Sequence, residues 1–285
     1  MEREHLQQGT QDLLEATKRF VESVSMYAWT QSDGEEVYRQ VILRSILRKQ
    51  FESLEAIVEL ASDDRGNVAV TLLRPMCEEL IWTEYLRLIS PQNSALLLLS
   101  MARVGIHETF CAQERYAAGK NMGDLGFPPG TAGQLRAASD AATEQLKLLA
   151  KTLNWPNRGK QLLPTVRFLA RATNRLEMYN LLYHATSRVV HFSVPELLRR
   201  VWGEPGRMAV SSNFYQRYWA DFSLYWGGWM YAQTFLTIPP ILTGLESDLE
   251  DTEILAVDKA VRVLLSRGGI PILTIEEIAW PFSQT

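Results

Sequence analysis

Arg74 and Glu78 stand four residues apart in LLRPMCEELIWTEYL, a spacing that puts both side chains on one helix face, with Trp82 a turn beyond. A second stretch, MYNLLYHATSRVVHFS, sets Tyr183, Ser187 and His191 at intervals of four, with His184, Arg188 and His191 as an overlapping stripe. Polar side chains here occupy positions where an apolar stripe should run. An arginine and a histidine held together can neutralise a phosphate and move a proton. Beside His191 the chain enters the helix containing Pro195, whose free amides would favour an anion. The expected catalytic group is therefore His191 as general acid/base, Arg188 or Arg74 against the phosphate, and Glu78 orienting the histidine. Arg74, Tyr183 and Ser187 are the expected substrate-binding residues. The competing reading is a mutually satisfied polar knot of Arg74, Glu78 and His191 buried between two helices. More than a hundred residues separate Arg74 from His191, so only tertiary packing decides between the two.

Familiar catalytic signatures are missing. There is no P-loop, G-x-G-x-x-G, G-x-S-x-G or H-E-x-x-H, and no Cys/His spacing suits zinc. His107-Glu108 lacks a second ligand at helical spacing, and no Glu-x-x-His pair recurs on two helices as a di-metal bundle requires. The expectation is chemistry without a metal or cofactor.

The run ILRKQFESLEAIVELASDDRGNVAVTLLRPMCEELIWTEYLRL, together with YNLLYHATSRVVHFS, resembles an uncharacterised, mainly bacterial helical family known only as a domain of unknown function. The resemblance rests on Arg74 and Glu78 and on the series Tyr183, Ser187, His191; it implies an all-helical fold and no particular activity. A fainter similarity is to the HEPN ribonucleases and defence toxins, small helical bundles that use an arginine and a histidine separated by four to six polar or variable residues and act across a dimer. Here two residues separate Arg188 from His191 and three separate Arg103 from His107.

The segments carrying these residues, and the rest of the chain, read as helices. Leu6, Leu13, Phe20, Val24 and Tyr27 make the first apolar stripe, ending before the turn Gln31–Gly34. Val41, Leu47, Phe51, Leu54 and Val58 make the second, and a turn over Ser62–Asn67 precedes a third helix running to Leu88. Pro75 inside that helix should free the carbonyl of Thr71 and kink it. Helix four follows Ser90-Pro91, and GKNMGDLGFPPG is the clearest loop. Capping pairs Thr131/Gln134, Asn174/Glu177 and Ser193/Glu196 mark three later helix starts. An aromatic helix spans about 212–237, and Ile270–Ile275 is the one candidate strand. The fold class is all-α: an antiparallel bundle over residues 1–245, with a C-terminal helix and short apolar tail at 246–285.

With 46% hydrophobic and 22% charged residues and a net charge of −4, the composition is that of a globular chain without a footprint for non-specific DNA or anionic-membrane binding, and it leaves a local basic groove open. Cys77 and Cys111 read as buried free thiols, and the charged N-terminus shows no signal peptide, so a cytoplasmic protein is expected. The uncharged stretch 222–245 is long enough for a membrane, but Gly227-Gly228, Pro239-Pro240 and its helical aromatic spacing favour a buried core helix. Two functions stay open. One is a bacterial defence or toxin protein acting on RNA or nucleotides without metal. The other is a non-catalytic interaction module, a homo-oligomer or subunit, joined through the aromatic helix or through a tail carrying Ile270, Ile272, Ile275, Ile278, Trp280 and Phe282.

Overall fold

The computed structural model describes residues 2–25, 34–120, 126–156, 162–204, 206–211, 213, 215–242, 251–266, 270 and 272–274. Helices make up the architecture, in the order α1 (Glu2–Ser25), α2 (Glu35–Ser62), α3 (Gly66–Ala69), α4 (Leu73–Leu88), α5 (Pro91–Lys120), α6 (Thr131–Thr152), α7 (Val166–Ala172), α8 (Leu176–Val190), α9 (Val194–Leu198), α10 (Gln216–Thr237) and α11 (Asp251–Leu265). Short 3-10 turns lie at Val70–Leu72 and Pro239–Ile241. The packing is that of antiparallel helices in an all-α fold.

The aromatic helix α10 is the axis of the molecule, packed against α1, α2, α3, α4 and α11. Its Trp219, Phe222, Tyr231 and Phe235 are fully buried, as a helix apolar on nearly all sides must be. Around it α1 contributes Leu6, Leu13, Phe20 and Val24. Thr10 and Thr17 share that stripe and hide their hydroxyls by bonding back to the carbonyls of Leu6 (2.7 Å) and Leu13 (2.9 Å). The Tyr231 hydroxyl in turn donates to Thr17 Oγ1 at 2.6 Å. In α2 the expected stripe holds for Leu47, Phe51, Leu54 and Val58, but Val41 is exposed and Leu43 and Ile57 point inward instead.

Three connections share one device. Asp64, Asn154 and Asn174 take the left-handed conformation (φ 54, 51 and 58°). In each the following amide reaches back five residues, Arg65 to Leu60, Trp155 to Ala150 and Arg175 to Ala170, closing the helix in a Schellman turn. Asn174 therefore ends α7 rather than capping α8, and Arg175 occupies the N-cap without a side-chain bond. The other expected capping pairs are also absent: Gly130 is the N-cap of α6, with the Thr131 hydroxyl donating backward to Pro128 O at 2.7 Å. Ser193 is the N-cap of α9 but forms no side-chain cap bond.

Pro75 does not kink a helix interior. The chain is already broken upstream, where the 3-10 turn at Val70–Leu72 restarts it, and Pro75 falls in the first turn of α4, where its missing N–H costs nothing. The strand expectation at Ile270–Ile275 is overturned: its described residues, 270 and 272–274, are not extended in a sheet. The one strand pair among the described residues is an antiparallel hairpin, β1 (Val201–Glu204) with β2 (Arg207–Val210), registered Val201 against Val210.

Among the described helices, α5 is long and apolar enough by length and composition to cross a membrane, whereas the stretch singled out from the sequence begins inside buried α10. In α5 the residues Ala95, Leu97, Leu98 and Leu99 are buried, and the helix packs against α2 and α6. At the C-terminal end α11 lies along α1 and touches α10, burying Val257, Ala260 and Leu264. Ile270 and Ile272 pack on the core, while Tyr27, the turn Gln31–Asp33, Ser212, Ile275, Ile278, Trp280 and Phe282 lie outside the described residues.

Candidate active site

The turn at Asn174 folds α8 back onto α4, and that packing brings together residues far apart in the chain. Arg74 and Glu78 project from the first turns of α4, and the Arg74 Nε–H donates to Glu78 Oε1 at 3.2 Å. From α8, Tyr183 lies under the Arg74 guanidinium, whose carbon is 5.0 Å from the ring centroid. His191, the C-cap residue of α8, places Nε2 3.1 Å from Arg74 Nη1. A guanidinium can only donate, so Nε2 must be the accepting nitrogen and the proton of the neutral ring sits on Nδ1.

This is no sealed knot. The Arg74 and Glu78 side chains are 27% and 35% exposed, and His191 and Tyr183 are exposed. Arg74, not Glu78, touches the histidine: the carboxylate fixes the guanidinium, and the guanidinium fixes the imidazole. Through Nε, one Nη1 hydrogen and its face, Arg74 is held on three sides; Nη2 has no hydrogen bond among the described residues and offers two donors outward.

Ser187 and Arg188 fit less closely. Ser187 lies half-buried between Tyr183 and His191; its carbonyl accepts the His191 backbone N–H at 3.1 Å, and its hydroxyl has no partner among the described residues. Arg188 is half-buried and forms no ion pair among the described residues. The anion site expected at the Pro195 helix is not built: α9 has five residues, too short for an appreciable dipole, and its Glu196 faces Arg199 at 3.6 Å.

Tyr179 was missed by sequence reasoning. It packs against Tyr183 with ring centroids 5.6 Å apart and the ring planes tilted by 40°. Burial, reinforced by the negative charge of Glu78, raises its hydroxyl above the ordinary tyrosine range, so it remains a proton-bearing donor beside the cluster. Its position four residues before Tyr183 was the available signal. Next to Glu78, the buried Cys77 thiol is pushed up to about 12, mainly by desolvation and further by Glu78 and Glu84. Cys111 is only half-buried, contrary to expectation, with its sulfur 3.4 Å from His107 Nε2.

The comparison with known families bears directly on these two helices. One family model matches residues 40–208, more than half of the chain. The chain belongs to the family of unknown function DUF5677. The matched region runs from α2 through β2 and includes Arg74, Glu78, Tyr183, Ser187, Arg188 and His191, while the axial helix α10 lies beyond it. No curated protein and no solved structure matches the chain, and no link to the HEPN ribonucleases emerges. Among the described residues, no three His, Cys, Asp or Glu side chains are grouped so as to hold a metal ion.

Proposed function

We propose that this DUF5677 chain is a metal-independent phosphodiesterase acting on RNA, with Arg74 and His191 as its catalytic pair. The observation that supports the reading is the Arg74 Nη1 to His191 Nε2 contact of 3.1 Å at an open surface, backed by the Glu78 brace. A phosphate arriving at the free Nη2 donors draws the guanidinium onto its oxygens and releases Nε2. The freed nitrogen takes the proton of a ribose 2′-hydroxyl, whose oxygen attacks phosphorus. The bond to the 5′-oxygen breaks, and the imidazolium returns the proton to that leaving oxygen. The products are a 2′,3′-cyclic phosphate and a 5′-hydroxyl end. Tyr183 holds the cation over its ring throughout. Such an activity, confined to the cytoplasm, suits a bacterial defence or toxin setting.

The test is cleavage of a single-stranded RNA by the full chain in EDTA. Wild type should yield cyclic-phosphate ends, and His191→Ala and Arg74→Ala should each lose about a hundredfold or more in rate. His191 is exposed, so the thermal midpoint of His191→Ala should hold. A His191→Ala protein as active as wild type, or an inert wild type, refutes the reading.

A second reading, the interaction module, draws support from a different observation. Phe192 is 87% and Val210 79% exposed, and Val190, Val194, Leu197 and Met208 are exposed in the same stretch of chain. Apolar groups left in water at that density favour a protein partner, here a second copy of the chain. Sedimentation equilibrium should then give a dimer that Phe192→Glu dissociates; a wild-type monomer at high concentration contradicts it.

A further inference from the structure

We propose that the cleft between the α7–α8 junction and α10 binds a planar heteroaromatic ring of the nucleobase kind. The cleft encloses about 650 Å³, within the range of small-molecule sites. Tyr225, Trp226 and Trp229 of α10 line one side; Arg171, Asn174 and Arg175 line the other. In α10 most aromatic rings are consumed by the core, but Trp226 and Trp229 are only partly buried and meet edge to face, 5.9 Å between centroids.

The wall is held rigid before any ligand arrives. Arg175 donates through Nε to Glu84 Oε2 at 3.0 Å and through Nη2 to Glu84 Oε1 at 2.7 Å. Nη2 also reaches Gln233 Oε1 at 3.1 Å, and the guanidinium lies 5.2 Å from the Trp229 ring centroid. Flat, fixed indole faces are what a heterocycle stacks on.

Polar groups at the rim supply what an apolar aromatic would not use. The Arg171 and Asn174 side chains are exposed and form no hydrogen bond among the described residues. An asparagine amide presents a donor and an acceptor side by side, matching the edge of a base. Charge favours a neutral ligand: Arg171 and Arg175 are offset by Glu84 and by Glu177, which lines the same cleft. The cleft opens at the start of α8, and His191 lies past its end. Fifteen residues at 1.5 Å each separate the two sites by about 22 Å, so this inference does not depend on the Arg74–His191 chemistry.

The experiment is calorimetric titration and tryptophan-fluorescence quenching of the full chain with adenosine, guanosine, cytidine and uridine. Inorganic phosphate and phenol serve as controls. At least one nucleoside should bind with quenching while both controls fail. Trp226→Leu should weaken that binding about tenfold, the loss of one stacking contact. Asn174→Gly should weaken it severalfold without loss of fold, because glycine favours the left-handed conformation present there, and it decides the matter even if the tryptophan variant is unstable. No nucleoside binding at millimolar concentration, binding undiminished in Asn174→Gly, or equal binding of phenol overturns the proposal.

Discussion

The thiols of Cys77 and Cys111 lie on different elements and differ in environment enough to be told apart in solution. Desolvation raises Cys77 from 9.0 to about 12, so at pH 8 almost none is thiolate, whereas Cys111 is half-buried. One thiol per folded chain should react promptly with a disulfide reagent at pH 8 and the second only on denaturation; two prompt equivalents would contradict the burial. The sign of the shift also sets a pH dependence. Because the neutral thiol is favoured in the folded state, the stability tied to it is complete below pH 9 and is lost as pH rises toward 12. At this scale the candidate site was partly legible. Spacing of four singled out Arg74, Glu78, Tyr183 and His191, because i, i+4 neighbours share a face whatever the tertiary fold. Which partner each takes was not legible: that Arg74 stands between Glu78 and His191 depends on how α8 crosses α4. Arg188 fitted the pattern equally well and meets none of them, since pattern alone cannot tell which side of a helix faces a neighbour.

Among the elements, the junction of α2, α3 and α10 imposes the tightest demand on a residue type. A methyl group added to Gly66 would sit 2.1 Å from the Gln216 carbonyl oxygen and 2.3 Å from the Ala220 nitrogen, both backbone atoms that cannot step aside. Gly66→Ala should therefore cost about 3 kcal/mol or more, read as a lower urea midpoint with an unchanged slope. A midpoint within error of wild type would show that α3 and α10 do not pack as closely as described. Gly66 sat inside what read from the sequence as a polar turn, where a glycine needs no packing reason. The long helices were legible from apolar period and from Gly, Pro and Asn breaks, but the division of the third into α3, a 3-10 turn and α4 was not. The expected side-chain caps fail for separate reasons: the left-handed Asn174 closes α7, Gly130 takes the N-cap of α6 in place of Thr131, and Ser193 forms no cap bond. The hairpin after α9 escaped notice because its strands have four residues each, too short for a period-two pattern.

Across the whole molecule, α8 links two places with different character: an aromatic, charge-neutral cleft at its start and an arginine–histidine pair at its end. Both are held by pairings to α4, Arg175 with Glu84 and Arg74 with His191, so the α4–α8 contact positions each. The axial role of α10 was legible because its aromatic spacing demanded burial, yet the same spacing gave no hint that Trp226 and Trp229 would face a cleft. In the proposed chemistry Arg74 presents His191 as a neutral imidazole with Nε2 as acceptor, poised to be released by a phosphate. Nitrogen-15 NMR of the histidine side chains in the full chain tests it directly, using inorganic phosphate as the probe and Arg74→Ala as the control. The expected result is the Nδ1–H form of His191 in the free protein, a phosphate-dependent shift of its Nε2 resonance, and loss of that response in Arg74→Ala. An Nε2–H tautomer, or a spectrum indifferent to phosphate in the wild type, would contradict it.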